Sequence, residues 1–177
     1  MREIAAGNQK ACRTLAAEHL DGTYRLALRI TGNRSTAEDI AQEAFLRLWK
    51  ASAGWKAKAQ VKTWLYRVTQ NLCIDRLRKE NRYSHAEVPD LADPADNPVT
   101  QREKQQLQEQ VQDALQAIPA RQRIALSLVH FEECSNKEAA KVMEISVDAL
   151  ESLLARGKRK LRNLLASARP QERKEAG

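Results

Sequence analysis

The chain has 177 residues with a net charge of +7, and only 5% of its residues are aromatic, so two modest cores are expected before one large one. The positive charge favours a polyanionic partner such as nucleic acid. No apolar run approaches the ~18 residues of a membrane span, and no apolar stretch with a small-residue cleavage site follows the N-terminus, so neither membrane insertion nor a secretion signal is expected.

The predicted elements are helical throughout, because the period-2 alternation of strands is missing. A first block runs from about Ala11 to Asn81. The segment "LAAEHLDGTYRLALRITGN" gives its first helix, which Gly32 and Asn33 end. Ser35 is then expected to open a second helix, since "STAE" has the capping-box form. Ile40, Ala41, Ala44, Phe45 and Leu48 share one face of that helix. Asp39, Gln42, Glu43 and Arg47 form a polar stripe opposite them. The third long helix covers Lys62 to Asn81. Trp64, Leu65, Val68 and Leu72 lie at helical spacing along it, and Gln70 and Asn71 are amides near its middle. Lys62, Arg67, Arg76, Arg78, Lys79 and Arg82 make it strongly basic.

The segment "YSHAEVPDLADPADNPVT", Tyr83 to Thr100, breaks every periodicity and reads as a linker. Charge changes sign here. Arg47 to Arg82 holds ten Lys/Arg and two acids, about +8, whereas Tyr83 to Ile118 holds two Lys/Arg and seven acids, about −5. Such a segment either screens the basic block or is a solvated connector. The second block starts near Gln101. Leu107, Val111, Leu115 and Ile118 fall on one helix face until Pro119 interrupts, and a further helix turns Ile124, Leu128 and Val129 inward.

The last part fits a helix-turn-helix unit. Ser135 is predicted to cap a short helix ending at Met143, "EIS" is the turn, and Ser146 caps the next helix. Ala140 is small where the two helices cross, and Leu150, Leu153, Leu154, Leu161 and Leu164 form the buried stripe. Asp148, Glu151, Ser152, Ala155, Arg156 and Arg159 are left outward. The N-terminal part of such a second helix enters the major groove, so Ser152 and Arg156 are candidates for base edges or phosphates. Lys158, Arg159, Lys160 and Arg162 suit phosphates nearby. Glu144 stands where glycine is usual, and a left-handed backbone there costs a non-glycine residue about 1 kcal/mol.

Cys12, Cys73 and Cys134 are far apart, and His19, His85 and His130 are equally scattered. Neither a zinc site nor a disulfide framework is expected, and reduced thiols in the cytoplasm are the simplest reading. With no phosphate-cradling Gly-rich loop and no paired carboxylates or His/Cys constellation, an enzyme acting on nucleic acid is not expected either. No cofactor or metal is called for.

In this order the segments resemble a bacterial RNA polymerase sigma factor of the extracytoplasmic-function (ECF) class. "AEDIAQEAFLRLWKA" is similar to that family's core-polymerase-binding helix, and "VKTWLYRVTQNLCIDRLRK" to its −10-element helix. "LQAIPARQRIALSLVHFEECSNKEAAKVMEISVDALESLLARGKRKLR" is similar to its −35-binding domain. The resemblance implies an all-α chain of two small domains joined by a flexible acidic linker, the second domain a helix-turn-helix. It divides the chain into residues 1–82, a linker 83–100, residues 101–170 and a tail 171–177. It implies that Asp39, Gln42, Glu43, Arg47 and Trp49 face the β′ clamp helices of core RNA polymerase, and that the second domain touches the β flap tip.

The resemblance further implies that the loop before the third long helix, Trp55 to Lys62, and Asn71 capture an unstacked base of the −10 element. An amide can pair with a base edge and offset part of the unstacking energy. Trp55 either helps form that pocket or is core. Lys56, Lys58 and Lys62 would attract phosphates of the melted strand. Arg67, Gln70, Arg76, Arg78 and Lys79 complete the −10 set. Ser146, Asp148, Glu151, Ser152, Ala155, Arg156, Lys158 and Arg159 form the −35 set. Glu151 and Leu153 stand where the family often has Lys or Arg, and the loop is more basic than usual, so neither promoter sequence follows. An anti-sigma factor is a further expected partner. The competing reading is a conventional helix-turn-helix repressor or activator, which would have no need of the Asp39 to Trp49 surface.

Overall fold

The computed structural model describes residues 1–55, 60–83 and 110–167; the expected linker beyond Tyr83, which itself ends a helix, Leu107 and the tail lie outside them. The described residues are helical, with no strand among them. A short α1 (Arg2–Ala5) precedes α2 (Gln9–Thr31), which begins where Asn8 Oδ1 accepts from the backbone N–H of Lys10 and Ala11 at 3.0 and 3.2 Å. α2 stops at Gly32, whose φ of +75° is the left-handed conformation that suits a residue without Cβ. A Cβ at Gly32 would also meet the Gln116 side chain at 2.8 Å.

α3 (Arg34–Ala51) follows at once. Its cap is Asn33, whose Oδ1 accepts from Thr36 N–H at 2.8 Å, and not Ser35, which lies exposed inside the helix. The amide cap satisfies the orphan donor two residues earlier than the capping-box pattern predicts, so the α2–α3 turn is only Gly32-Asn33. Ile40, Ala41, Ala44, Phe45 and Leu48 are all buried, as their spacing predicts. A 3-10 turn (Ser52–Gly54) leads towards α4 (Val61–Tyr83).

In the second block, α5 is described over 110–116, and Pro119 stands at the start of α6 (Ala120–Leu126). A π-helical turn (Ser127–Phe131) continues α6. α7 (Asn136–Met143) carries the predicted capping box: Ser135 Oγ accepts from Glu138 N–H while the Glu138 carboxylate accepts from Ser135 N–H at 2.9 Å. The Ser135 hydroxyl, which donates to the Glu138 carboxylate at 2.7 Å, and then the Ser135 N–H hold that carboxyl below its ordinary pKa. Glu144 turns the chain at φ 54°, ψ 45°, the left-handed conformation expected of it. α8 (Val147–Ser167) begins where Ser146 Oγ accepts from Ala149 N–H at 3.1 Å. Replacing Ser135 by Ala is expected to cost about 1 kcal/mol and to lower the thermal midpoint by about 3 °C in a melting experiment.

The cores do not divide as the composition suggests. A smaller cluster, Ala44, Phe45, Leu48 and Leu65 ringed by Trp49, Trp55 and Trp64, belongs to the first block alone. The larger cluster crosses between blocks, from Leu26, Ile30, Ile40, Tyr66 and Cys73 to Leu115, Ile124, Leu128, Ala140 and Leu150. α4 packs on α7, and α2 packs on α6 and the π turn. The physical reason lies in α4, which buries a second face beside its predicted one: Tyr66, Thr69, Gln70 and Cys73 are at most 4% exposed.

The blocks also meet through backbone. A helix leaves its last carbonyls without intrahelical partners. At the end of α2 Leu28 O accepts from Gly32 N–H, and the second block supplies the further donors: Gln112 Nε2 donates to Leu28 O at 3.0 Å, Gln116 Nε2 to Arg29 O at 3.0 Å, and Arg123 Nη1 to Ile30 O at 2.5 Å. Arg123 is only 6% exposed and also donates to the carbonyls of Gln116 and Ile118 and to the Gln116 side chain. Burial pushes its pKa down. Burial likewise pushes the Cys73 thiol up to about 12, despite the nearby Arg123 guanidinium.

Candidate nucleic-acid and partner surfaces

The residues singled out from the sequence fall on three surfaces. On α3, Asp39, Gln42 and Arg47 are exposed, and Glu43 and Trp49 are half-buried. Glu43 pairs with Arg47 at 2.7 Å one turn on, and Trp49 packs edge-on against Phe45 with ring centroids 5.5 Å apart. The same stripe carries a residue that sequence reasoning missed. Leu46 is 52% exposed, between Gln42 and Arg47 and Lys50 on the outward face. Its i+4 spacing from Gln42 was a usable signal. Its neighbours Phe45 and Leu48 make it look like core.

On α4 the expected −10 residues separate. Asn71, Arg76, Arg78 and Lys79 are exposed, with Arg76 paired to Glu80 at 2.8 Å. Gln70 is different: it is 3% exposed, and its Nε2 donates to Val142 O of α7 at 2.7 Å. Lys62 Nζ donates to Glu132 O at 3.2 Å, and Arg67 pairs with Glu144. Trp55 stacks edge-on against Trp64, centroids 5.7 Å apart, and borders the first-block core. Lys56, Lys58 and the side chain of Arg82 lie outside the described residues.

On α8, Asp148, Glu151, Ser152, Ala155, Arg156, Lys158 and Arg159 are all exposed. Glu151 accepts from Asn136 Nδ2 at 3.2 Å, so this acid ties the start of α7 to α8. Arg156 Nε folds back on Ser152 O at 3.1 Å, and Ser146 is occupied as the α8 cap. The basic run from Lys158 continues along the exposed side through Lys160 and Arg162. Burial, and then the charge of Lys158, holds the His130 imidazole below its ordinary pKa. Chemically, then, the chain offers an exposed polar stripe with an apolar centre, an exposed amide flanked by guanidinium groups, and a helix-turn-helix with a basic outer helix. Among the described residues no helix is long and apolar enough to cross a membrane, and no group of His, Cys, Asp and Glu is placed to hold a metal ion.

Residues 15–83 match Sigma-70 region 2, and residues 108–161 match Sigma-70, region 4. The ECF RNA polymerase sigma factor SigE of Mycolicibacterium smegmatis is 31% identical over 169 residues, covering 92% of this chain; the chain spans 65% of that relative's length. The ECF RNA polymerase sigma factor SigW of Bacillus subtilis is 31% identical over 180 residues, covering 93% of this chain and 94% of that one. The sigma factor RpoE, solved with the anti-sigma factor NepR from Bartonella quintana, matches with a TM-score of 0.74 at 20% identity, over 90% of this chain and 99% of that one. CnrH, solved with the cytosolic domain of CnrY, matches with a TM-score of 0.71 at 24% identity, over 94% of this chain and 95% of that one. At these identities the two structures speak to the fold.

Proposed function

Because the chain belongs to the ECF RNA polymerase sigma factor family, we propose that it directs promoter-specific transcription initiation by binding core RNA polymerase and two promoter elements. In this reading the α3 stripe of Asp39, Gln42, Leu46 and Arg47 docks on the β′ clamp helices. Residues 1–82 act on the −10 element and residues 101–170 on the −35 element and the β flap tip, with 83–100 as the linker. Asn71 holds an unstacked −10 base, flanked by Arg76, Arg78 and Lys79 on phosphates. The exposed face of α8 meets the −35 duplex, with Glu151 bracing α7 against α8. An anti-sigma factor is a further partner, as in the solved complex of RpoE with NepR. The work is done by binding, and no catalytic residue is assigned.

The observation that carries this reading is the outer face of α3. A helix whose inner face is fully buried still presents a half-exposed leucine among charged side chains. A conventional helix-turn-helix regulator needs no such surface. Run-off transcription with core polymerase on a promoter library tests the proposal, and absence of any promoter-dependent transcript overturns it. Within that assay Asn71→Ala is expected to lower open-complex formation about fivefold while core binding is unchanged, since only the extruded base loses a partner. Equal loss of both would remove Asn71 from the base-capture role.

A further inference from the structure

Resting on the sigma-factor reading, we propose that α1 is a positioning element for promoter opening: through Met1 and Ile4 it holds the 3-10 turn that places Trp55 at the −10 surface. The match to Sigma-70 region 2 covers residues 15–83, so α1 lies outside it. A helix of four residues has no stability of its own and exists through what it packs on. α1 packs on α2 and on the 3-10 turn Ser52–Gly54. Its one buried residue is Ile4. Met1 packs on the first-block cluster, which Trp55 and Trp64 also border.

The turn that α1 meets is the one that leads into Trp55. Ser52 is buried, and its Oγ donates to Trp49 O at 2.7 Å. Trp55 N–H donates to Ser52 O at 3.3 Å, and at Trp55 the backbone becomes extended, with φ −64° and ψ 120°. The direction in which Trp55 leaves is therefore fixed by the turn. The main neighbours of the turn among the described residues are α3, which runs straight into it, and α1. The support that comes from elsewhere in the chain is thus α1. Trp55 is half-buried, which leaves part of it for an unstacked base to stack on. Such a base must regain stacking and hydrogen bonds to offset its extrusion, and a wall that yields returns less of that energy.

The connection from α1 to α2 offers an independent handle. Gly7 has φ +79°, and a Cβ there would meet nothing within 4 Å. Glycine is needed here for the backbone conformation and not for space. A larger residue at Gly7 touches no neighbour, so its effect reaches the rest of the domain through the placing of α1.

Open-complex formation on one promoter from the run-off library, binding to core polymerase and circular dichroism are compared for the full chain and its variants. Ile4→Asp and Gly7→Val are each expected to lower open-complex formation about threefold, with core binding and helix content unchanged, since neither touches the α3 stripe. Ile4→Val keeps the apolar contact and should stay at the wild-type level. Trp55→Ala is expected to lower opening about fivefold. Adding Ile4→Asp to Trp55→Ala should lower it no further, because α1 acts through that residue. If Ile4→Asp loses helix content, Gly7→Val takes its place in the double variant. Losses that multiply overturn the proposal, and so does equal loss of core binding and opening. Absence of any open complex with the wild-type chain sinks the sigma-factor reading. Wild-type opening that Ile4→Asp and Gly7→Val leave unaltered sinks only the role of α1.

Discussion

Arg123→Met is expected to destabilise the chain by about 3 kcal/mol in urea denaturation, more than any other single substitution considered. Arg123 is buried and has no carboxylate partner among the described residues. Its charge is met by the carbonyls of Ile30 in the last turn of α2, of Gln116 at the end of α5, and of Ile118 in the turn that follows. Helix C-termini carry partial negative charge, so two of them aimed at one guanidinium offset part of its desolvation. Methionine fills similar space but donates nothing. Three buried acceptors are then left short, each at about 1 kcal/mol or more, while the removed cation returns part of its desolvation cost. Arg123→Lys keeps the charge but loses the planar fork, and an intermediate loss is expected. A loss below about 1 kcal/mol for Met would mean that water replaces the guanidinium at these carbonyls.

Leu46→Ala is expected to weaken binding to core polymerase by about 1.4 kcal/mol, a tenfold change, with no loss of thermal stability. The dissociation of stability from binding is the informative part. Leu46 is 52% exposed, so truncating it removes little that the free chain has buried. Alanine is also the better helix former. In a complex the same side chain would leave water entirely, ringed by Gln42, Arg47 and Lys50, the arrangement of an apolar anchor with a polar rim. Titration of labelled core polymerase with both forms checks the first half, and a thermal melt checks the second. Loss of stability without loss of binding would place Leu46 in the fold and leave the α3 stripe without an apolar centre.

The α3 face, the stop at Gly32 and the helix-turn-helix with its capping box were legible because each rests on local chemistry: periodicity, a left-handed turn, a side chain capping its own helix. The seam between the blocks was not. Gln70 and Tyr66 sit beside the predicted apolar stripe of α4, and a polar residue one step off a stripe reads as solvated. Their partners are 72 and 66 residues away in sequence. Arg29 and Glu132 are 103 residues apart, and each alone resembles any surface charge. Arg123, flanked by Arg121 and Gln122, reads as one more basic residue on a basic chain. The misplaced cap at Ser35 has a different cause: two competent caps lie two residues apart, and pattern alone cannot rank Asn33 against a Ser-x-x-Glu box.

The side chains that close the seam at the end of α2 reach main-chain oxygens: Gln112, Gln116 and Arg123 grip Leu28, Arg29 and Ile30, and from the other direction Gln70 grips Val142. Main-chain oxygen is the same in every residue. The receiving side can therefore drift in sequence with no effect on these bonds, while the giving side cannot. Alanine scanning would be blind to half of this junction. A scan of residues 28 to 30 would register the Arg29 pairing with Glu132 and the buried side chain of Ile30, but not these carbonyl bonds, which would register only from the glutamines and the arginine. Comparing two such chains by side-chain covariation would miss these contacts for the same reason, because a carbonyl has nothing with which to covary.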